Sequence, residues 1–307
     1  MRGGGVDLLI LGAGGQVGRE VVRAAERAGL GVAARSRQEL DITRPGAIAD
    51  ALDEVRPSVV LNCAAYTAVD RAETEPRAAY AVNRDGAARV ASACRQAAVP
   101  LIHLSTDYVF DGTAREPYPE SAPAGPRNVY GDSKLAGERA VRETCEKHLV
   151  VRTSRVFGPR GSNFLVSILR LAAERDVLRL ARDQRACPTA AEDVARAMVR
   201  MAKGALRPDF EAWGLYHYAG RGIASWLDLG EEILTRAHER NLVPPTRTEG
   251  VSSAELRRPA RRPTYSALDC GRAQRVFGLE GRPWREAVER QIARRAARSN
   301  GWTNGGR

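Results

Sequence analysis

The sequence predicts an α/β fold built on a parallel sheet, and three observations predict it. Short apolar runs alternate with longer amphipathic stretches through the first half of the chain. The runs are too continuously apolar for strands with one wet face, so both faces of the sheet are expected to be covered. The first run, residues 6–11, passes through a glycine-rich turn directly into a helical pattern. Together these describe a Rossmann-like, doubly wound parallel sheet with right-handed crossovers. After Arg152 the alternation loosens, and a smaller C-terminal substrate-binding lobe is expected there. The expected division is a dinucleotide-binding domain over 1–152 with roughly 183–204, a lobe over roughly 153–182 and 205–299, and a flexible tail at 300–307.

Taken in order, Gly12-Ala13-Gly14-Gly15-Gln16-Val17-Gly18 joins the first strand to a helix over about 16–28. Glycines at Gly12, Gly15 and Gly18 let the backbone turn tightly and approach a pyrophosphate, whose charge suits the helix N-terminus. The second strand, about 31–34, ends at Arg35-Ser36-Arg37. An acid in this place holds the ribose 2′-hydroxyl of NAD, whereas an arginine suits a 2′-phosphate. Arg35, with Arg37 close by, therefore points to NADPH, with NADH as the alternative. Asp41 and Ile42 follow where the adenine would lie. A third strand over 57–62 enters Cys63-Ala64-Ala65-Tyr66-Thr67, mostly small residues at the sheet edge where ligands bind in this fold. A helix over roughly 77–97 contains Asn83, which is either a packing polar group or part of a proton relay. Strands over 99–105 and 149–152 flank a helix over 130–147. Beyond them, helices are expected at 161–173, 191–203, 226–240 and 284–298, with a short strand at 178–180, an aromatic segment at 213–218 and a basic loop at 257–263.

A chain of 307 residues with 43% hydrophobic and 28% charged side chains can bury a sizeable core and has the balance of a globular protein. No stretch is long enough to span a bilayer, and the first residues lack a signal peptide's hydrophobic region, so a cytoplasmic protein is expected. Five cysteines without CxxC or Cys/His spacing favour reduced thiols over disulfides or zinc. The net charge of +11 comes almost wholly from arginine, with Arg285, Arg290, Arg294, Arg295 and Arg298 on the last helix. A nucleic-acid binder would add a recognisable module or interleaved aromatics, and neither is visible. The helix is expected to present a solvated basic face, whose field would also favour an anionic small substrate.

The chemistry centres on Ser105-Thr106-Asp107 and Tyr130-Gly131-Asp132-Ser133-Lys134. Tyr130 and Lys134 lie four residues apart on a helix and so share a face. A phenol ordinarily titrates near pH 10, and Lys134 is expected to bring it down. Thr106, at a strand's end, can donate to a carbonyl oxygen gaining charge. With hydride arriving at the carbonyl carbon from NADPH, Tyr130 would give the proton.

At this point the sequence resembles the extended short-chain dehydrogenase/reductases, and within them the dTDP-4-dehydrorhamnose reductase family. The resemblance runs through the glycine turn, Leu61 to Asp70, Ser105 to Phe110, Asn128 to Lys134, Asn163-Phe164, Asp183-Gln184, Pro188-Thr189 and Ala260 to Pro263. It implies reduction of the 4-keto group of a nucleotide-activated deoxysugar, and it allows a homodimer. It further implies Gly15, Gln16 and Val17 at the pyrophosphate, Asp41, Ile42, Ala65, Tyr66 and Thr67 along the rest of the cofactor, and Thr106 and Asp107 at the sugar, with Asn163 on the same side. Two departures stand out. The family usually places a tryptophan against the hexose where this chain has Arg155, so a different activated ketosugar is the competing substrate. Some members bind magnesium through acids; Glu20 and Glu192 match, but Arg294 stands where a third acid is expected, and no metal is assigned. Relatives of this fold also serve as non-catalytic NADP-binding regulatory subunits, a role the intact Thr106, Tyr130 and Lys134 set argues against.

Overall fold

The computed structural model describes residues 6–303. In chain order, β1 (Leu8–Leu11), α1 (Gln16–Arg27), β2 (Val32–Arg35), α2 (Ala47–Val55) and β3 (Val59–Asn62) open the fold. Then come α3 (Val69–Ala72), α4 (Pro76–Tyr80), a π-helical turn (Ala81–Gly86), α5 (Ala87–Gln96), β4 (Leu101–Thr106), α6 (Val129–Thr144) and β5 (His148–Thr153). The remainder comprises β6 (Val156–Phe157), α7 (Phe164–Glu174), β7 (Val177–Ala181), β8 (Arg185–Ala186), β9 (Thr189–Ala190) and α8 (Ala191–Ala205). It closes with β10 (Gly214–His217), β11 (Ala224–Ser225), α9 (Trp226–His238), β12 (Arg247–Val251), α10 (Gly271–Phe277) and α11 (Trp284–Thr303).

Six parallel strands form the central sheet in the order β10-β5-β4-β3-β1-β2. Alternate residues of β1 serve opposite faces, as a period of two requires. Leu8 and Ile10 pack with Val21 of α1 and Val194 and Met198 of α8, whereas Leu9 and Leu11 pack with Ile48 and Leu52 of α2 and Val90 of α5. Both faces are covered, which is why these strands carry no polar alternation. A separate core joins α7, α9 and α11 through Leu165, Ile168, Ile233, Val288 and Ile292.

Three expectations need correction. Residues 214–217 and 271–277, assigned from sequence to the lobe, belong with the central sheet: β10 pairs in parallel with β5, and α10 packs on β10 and α8. Nothing local in a four-residue strand names its partner on the far side of the fold. The helix expected over 77–97 is widened by the π-helical turn, which lets Asn83 hold the backbone of Tyr66 on both sides and reach Ser133 Oγ at 3.0 Å. The terminal helix runs past its expected end at Arg298 to Thr303, and the rest of the expected tail lies outside the described residues. No helix among the described residues is long and apolar enough to cross a membrane, and all five cysteines are free thiols.

Beneath the C-terminal edge of the sheet, α6 is tied to β4 and β5 by buried charge. Glu138 accepts from Arg152 Nε at 2.9 Å and Nη2 at 2.7 Å, and from Ser105 Oγ at 2.5 Å. Both charged side chains are almost wholly buried. Removing one partner strands the other's charge. Arg152→Leu is expected to cost about 3–5 kcal/mol, and the double change Arg152→Leu with Glu138→Leu less than the single one, measured by equilibrium urea denaturation.

Candidate active site

A cavity of about 1200 Å³ lies along the C-terminal edge of the sheet, between it and the lobe. The glycine turn forms one end. Gly12 has φ +72°, and a Cβ there would sit 2.6 Å from the Ala64 nitrogen, so a side chain is barred on both counts. A Cβ on Gly18 would meet the Gly12 carbonyl oxygen at 2.3 Å. The N-terminus of α1 carries no side-chain cap and no acid in its first turn. Beside it, Gln16 Nε2 is buried without a partner among the described residues. Free amide donors at a helix start fit a pyrophosphate.

Among the expected cofactor residues, Gly15, Gln16, Val17, Ala65, Thr67, Tyr130 and Lys134 line the cavity. Gly12, Arg35, Arg37, Asp41, Ile42 and Tyr66 stand outside its lining. Arg35 ends β2 as expected, with its guanidinium 3.2 Å from Glu54. Arg37 is 80% exposed and 3.5 Å from Asp41. The Asp41 carboxylate accepts from the Thr43 amide and hydroxyl, which with Arg37 holds it below the usual carboxylate range against a smaller effect of burial. Tyr66 donates its hydroxyl to Glu75 at 2.7 Å.

Asn128 caps α6, accepting from the Gly131 amide at 2.7 Å, and so places Tyr130 and Lys134 in its first turns. Gly131 is required here because a Cβ would lie 2.2 Å from the Tyr108 carbonyl oxygen. Thr106, Tyr130 and Lys134 all face the cavity. The electrostatics differ from expectation. Burial pushes the Tyr130 phenol well above its usual value, a hydrogen bond with Thr106 pulls it back in part, and Asp107 and Tyr108 raise it further. Lys134 Nζ is engaged instead by the Leu104 carbonyl, at 2.8 Å, and by His103 Nε2, at 3.4 Å. Burial brings Lys134 itself down to about 8, with Glu138 and Cys63 opposing. A phenol held neutral is a proton donor, and that is the role reduction needs.

On the substrate side, Asp107 is buried and already engaged. It accepts from Ser154 Oγ at 2.9 Å, Ser266 Oγ at 2.5 Å and Thr106 Oγ1 at 3.2 Å. Burial raises its pKa, while Ser266, Ser154 and Arg155 oppose that rise. Asn163 lines the cavity but spends its side chain as the cap of α7. Arg155, which stands where the family's tryptophan is expected to meet the hexose, is committed to the protein. It donates to the carbonyls of Ala224 at 2.7 Å and Gln184 at 2.5 Å, and its guanidinium lies 4.2 Å from the centre of the Trp226 ring. Trp226 lines the cavity too, held by Gln184 at 2.9 Å and packed on Phe164. An aromatic surface therefore reaches the cavity from α9, which sequence reading missed because 71 residues separate it from Arg155. Ser154, Ser266 and the cavity-lining Arg258 and Arg262 also escaped it, although Arg262 lies in the quoted Ala260-to-Pro263 motif. Arg262 is paired with Asp70 at 2.8 Å.

The acids that match the family's magnesium site do not fit a metal here. Arg294 reaches Glu20 with Nη2 at 3.1 Å and Glu192 with Nη1 at 2.8 Å, while Arg290 and Gln291 also donate to Glu192. A guanidinium supplies the positive charge between the two carboxylates. The basic face expected on α11 is solvated in part: Arg285, 64% exposed, approaches Glu232 at 3.3 Å, whereas Arg294 turns inward to the two acids and Arg295 donates to the Pro159 carbonyl. The side chain of Arg298 lies outside the described residues.

A Tyr-x-x-x-Lys helix laid across the edge of a parallel sheet, facing a glycine turn, is how short-chain dehydrogenase/reductases are built, and this chain is built that way. It belongs to the family described as the RmlD substrate binding domain, whose profile matches residues 6–297. It is 42% identical over 282 residues to a dTDP-4-dehydrorhamnose reductase of Streptomyces griseus, covering 91% of each chain. It is 38% identical over 281 residues to a probable dTDP-4,6-dihydroxy-2-methyloxan-3-one 4-ketoreductase of Streptomyces antibioticus, covering 91% of this chain and 92% of that one. The crystal structure of a dTDP-4-dehydrorhamnose reductase from Bacillus anthracis in complex with NADP matches with a TM-score of 0.87 at 32% identity, covering 95% of this chain and 100% of that one.

The arginine clamp has a pH signature. Burial opposes ionisation of Glu192, but hydrogen bonds from Arg290 and Gln291 and the charges of Arg294 and Arg290 hold it down to about 2. A depressed carboxylate contributes stability that is complete above its ordinary value of 4.5 and is lost as pH falls toward 2. Because the arginines are partly exposed, Glu192→Gln is expected to cost about 2 kcal/mol at neutral pH, and to flatten the acid limb of stability against pH in urea titrations.

Proposed function

We propose that this protein is a cytoplasmic reductase that uses NADPH to reduce the 4-keto group of a dTDP-activated 6-deoxyhexose, with Tyr130 as the proton donor. The observation that carries this reading is the meeting of Thr106, Tyr130 and Lys134 in one cavity with the uncapped start of α1. At about 1200 Å³ that cavity exceeds the size of a typical single-ligand pocket and suits a dinucleotide and a nucleotide sugar side by side. NADPH, when bound, supplies the hydride. Tyr130 holds its proton because burial disfavours the phenolate, and releases it to the oxygen that gains charge. Thr106, whose one hydroxyl proton rests on Asp107 at 3.2 Å, turns it to the same oxygen as charge builds there. Asp107, fixed by Ser154 and Ser266, positions Thr106 through the contact between their side chains. Cavity-lining Arg127, Arg257, Arg258 and Arg261 suit the diphosphate of an activated sugar. Arg35 and Arg37, at the end of β2, give the basis for preferring NADPH to NADH.

A second reading is a reductase of a different activated ketosugar. It is favoured by the Arg155–Trp226 pair, which changes the wall expected to meet the hexose, and by the likeness to the Streptomyces antibioticus 4-ketoreductase. Product analysis after turnover of dTDP-4-dehydrorhamnose and related ketosugars separates the two.

Tyr130→Phe is expected to lower kcat by about 10²–10⁴-fold while NADPH binding, followed by nucleotide fluorescence, stays within a few-fold of the parent. Turnover near the parent level would remove Tyr130 from the chemistry. Arg37→Ala is expected to raise the Kd for NADPH about tenfold and leave that for NADH nearly unchanged, since only the former carries the 2′-phosphate.

A further inference from the structure

Behind Lys134 runs a buried line of polar groups to which the reduction assigns no part. Asn62, His103 and Lys134 are each 2% exposed or less. The Ala64 amide donates to Asn62 Oδ1 at 3.0 Å, which orients the side-chain amide and directs Nδ2 at His103 Nδ1, 3.2 Å away. An amide NH₂ only donates, so Nδ1 must accept. Burial keeps the imidazole far below its usual pKa and therefore neutral. Its one proton then resides on Nε2, the nitrogen that faces Lys134 Nζ at 3.4 Å. Nζ already donates to the Leu104 carbonyl at 2.8 Å.

An ammonium has no lone pair, so Nε2–H and a protonated Lys134 would oppose one another, donor against donor. A neutral amine resolves the conflict: it accepts from Nε2–H and still donates to Leu104. Every group then runs head to tail, from the Ala64 amide through Asn62, His103 and Lys134 to Leu104. The remaining charged and titratable neighbours do not change this assignment. Cys63, after β3, is pushed up to about 12 by burial and stays a thiol. Glu138, one turn along α6, directs both carboxylate oxygens at Arg152 of β5. Tyr130, one turn back, is a neutral phenol.

We propose that His103 is a positioning residue for Lys134: in the cofactor-free protein its Nε2–H opposes the ammonium and favours the neutral amine, and the lysine holds a proton more firmly once it leaves His103 for the cavity. The same line ends at the Ala64 amide, which adjoins Gly12 and precedes the cavity-lining Ala65. The protonation state of Lys134 is thereby coupled to the loop that receives the cofactor. This rests on Lys134 belonging to the reductase site, but its first tests need no turnover.

The chain has three lysines, Lys134, Lys147 and Lys203, so NMR of the full-length, cofactor-free protein labelled at lysine gives a readable titration. The Lys134 signal is expected to titrate at about 8. Imidazole ¹⁵N spectra of the same unmodified protein are expected to show His103 with its proton on Nε2. In His103→Gln the amide oxygen can face Nζ and accept, so the Lys134 titration is expected to move up by about one unit, a tenfold gain in proton affinity. The pH limb of kcat/KM governed by Lys134 is expected to move with it. A proton found on Nδ1, or an unmoved Lys134 titration in folded His103→Gln, overturns the proposal. If the variant does not fold, the tautomer in the unmodified protein decides. Failure of every ketosugar to turn over would overturn the proposed function and leave both NMR results standing.

Discussion

The buried pair of Glu138 and Arg152 is the constraint on which the site's geometry depends. Glu138 lies one turn beyond Lys134 on α6, Arg152 lies two residues before Ser154, and Ser105, the third member, precedes Thr106. One carboxylate thus sets the mutual position of the helix that carries the phenol and amine, the strand that ends in the threonine, and the segment that anchors Asp107. Two close approaches complete the fit. A side chain at Gly131 or Gly137 would strike the carbonyl of Tyr108 or Asn83, so α6 lies nearer its neighbours than helices with ordinary side chains can. Precision at Tyr130 is therefore a property of how α6 is seated rather than of any contact Tyr130 makes for itself.

Burial acts on the two titrating groups of this helix in opposite directions. It lifts the phenol and lowers the amine, because in each case the charged form is the one that loses solvation. Groups that start with similar affinities for a proton end well separated, the usual way one site comes to hold a distinct acid and base. No ion pair is needed between them. The polar groups beneath the site follow the same economy: Asp107, Glu138 and His103 are each surrounded by partners that satisfy them without opening the cavity floor to water.

Much of this architecture could be read along the chain. The glycine turn, the continuous apolar strands and the four-residue spacing of Tyr130 and Lys134 are local signals, and each reports a local geometry. What could not be read was where charged ends point. Helix spacing placed Lys134 on the face of Tyr130, but the direction of Nζ is decided by Leu104 and His103 on β4. The meaning of Arg155 depends on Trp226 and on two carbonyls from β11 and the Asp183-Gln184 element, none of them near it in sequence. The ion pairs of the α11 arginines were hidden because their acids lie on α1, α8 and α9. Long cationic side chains find partners across the fold, and periodicity within one helix carries no trace of them.

The clamp of Arg294 also bears on how the chain is made. Arg294 and Glu20 are separated by 274 positions, and the guanidinium reaches Glu192 as well. Synthesis proceeds from the N-terminus, and early elements collapse as they emerge. From the emergence of α8 until that of α11, α1 and α8 pack with two acids side by side, and Arg23, 2.8 Å from Glu20 on α1 itself, is the cation against Glu20. The nucleotide-binding half therefore matures electrostatically only when the last helix leaves the ribosome. A chain cut short before α11 would keep its sheet, its glycine turn and its catalytic helix, yet leave Glu192 without the arginines that answer it.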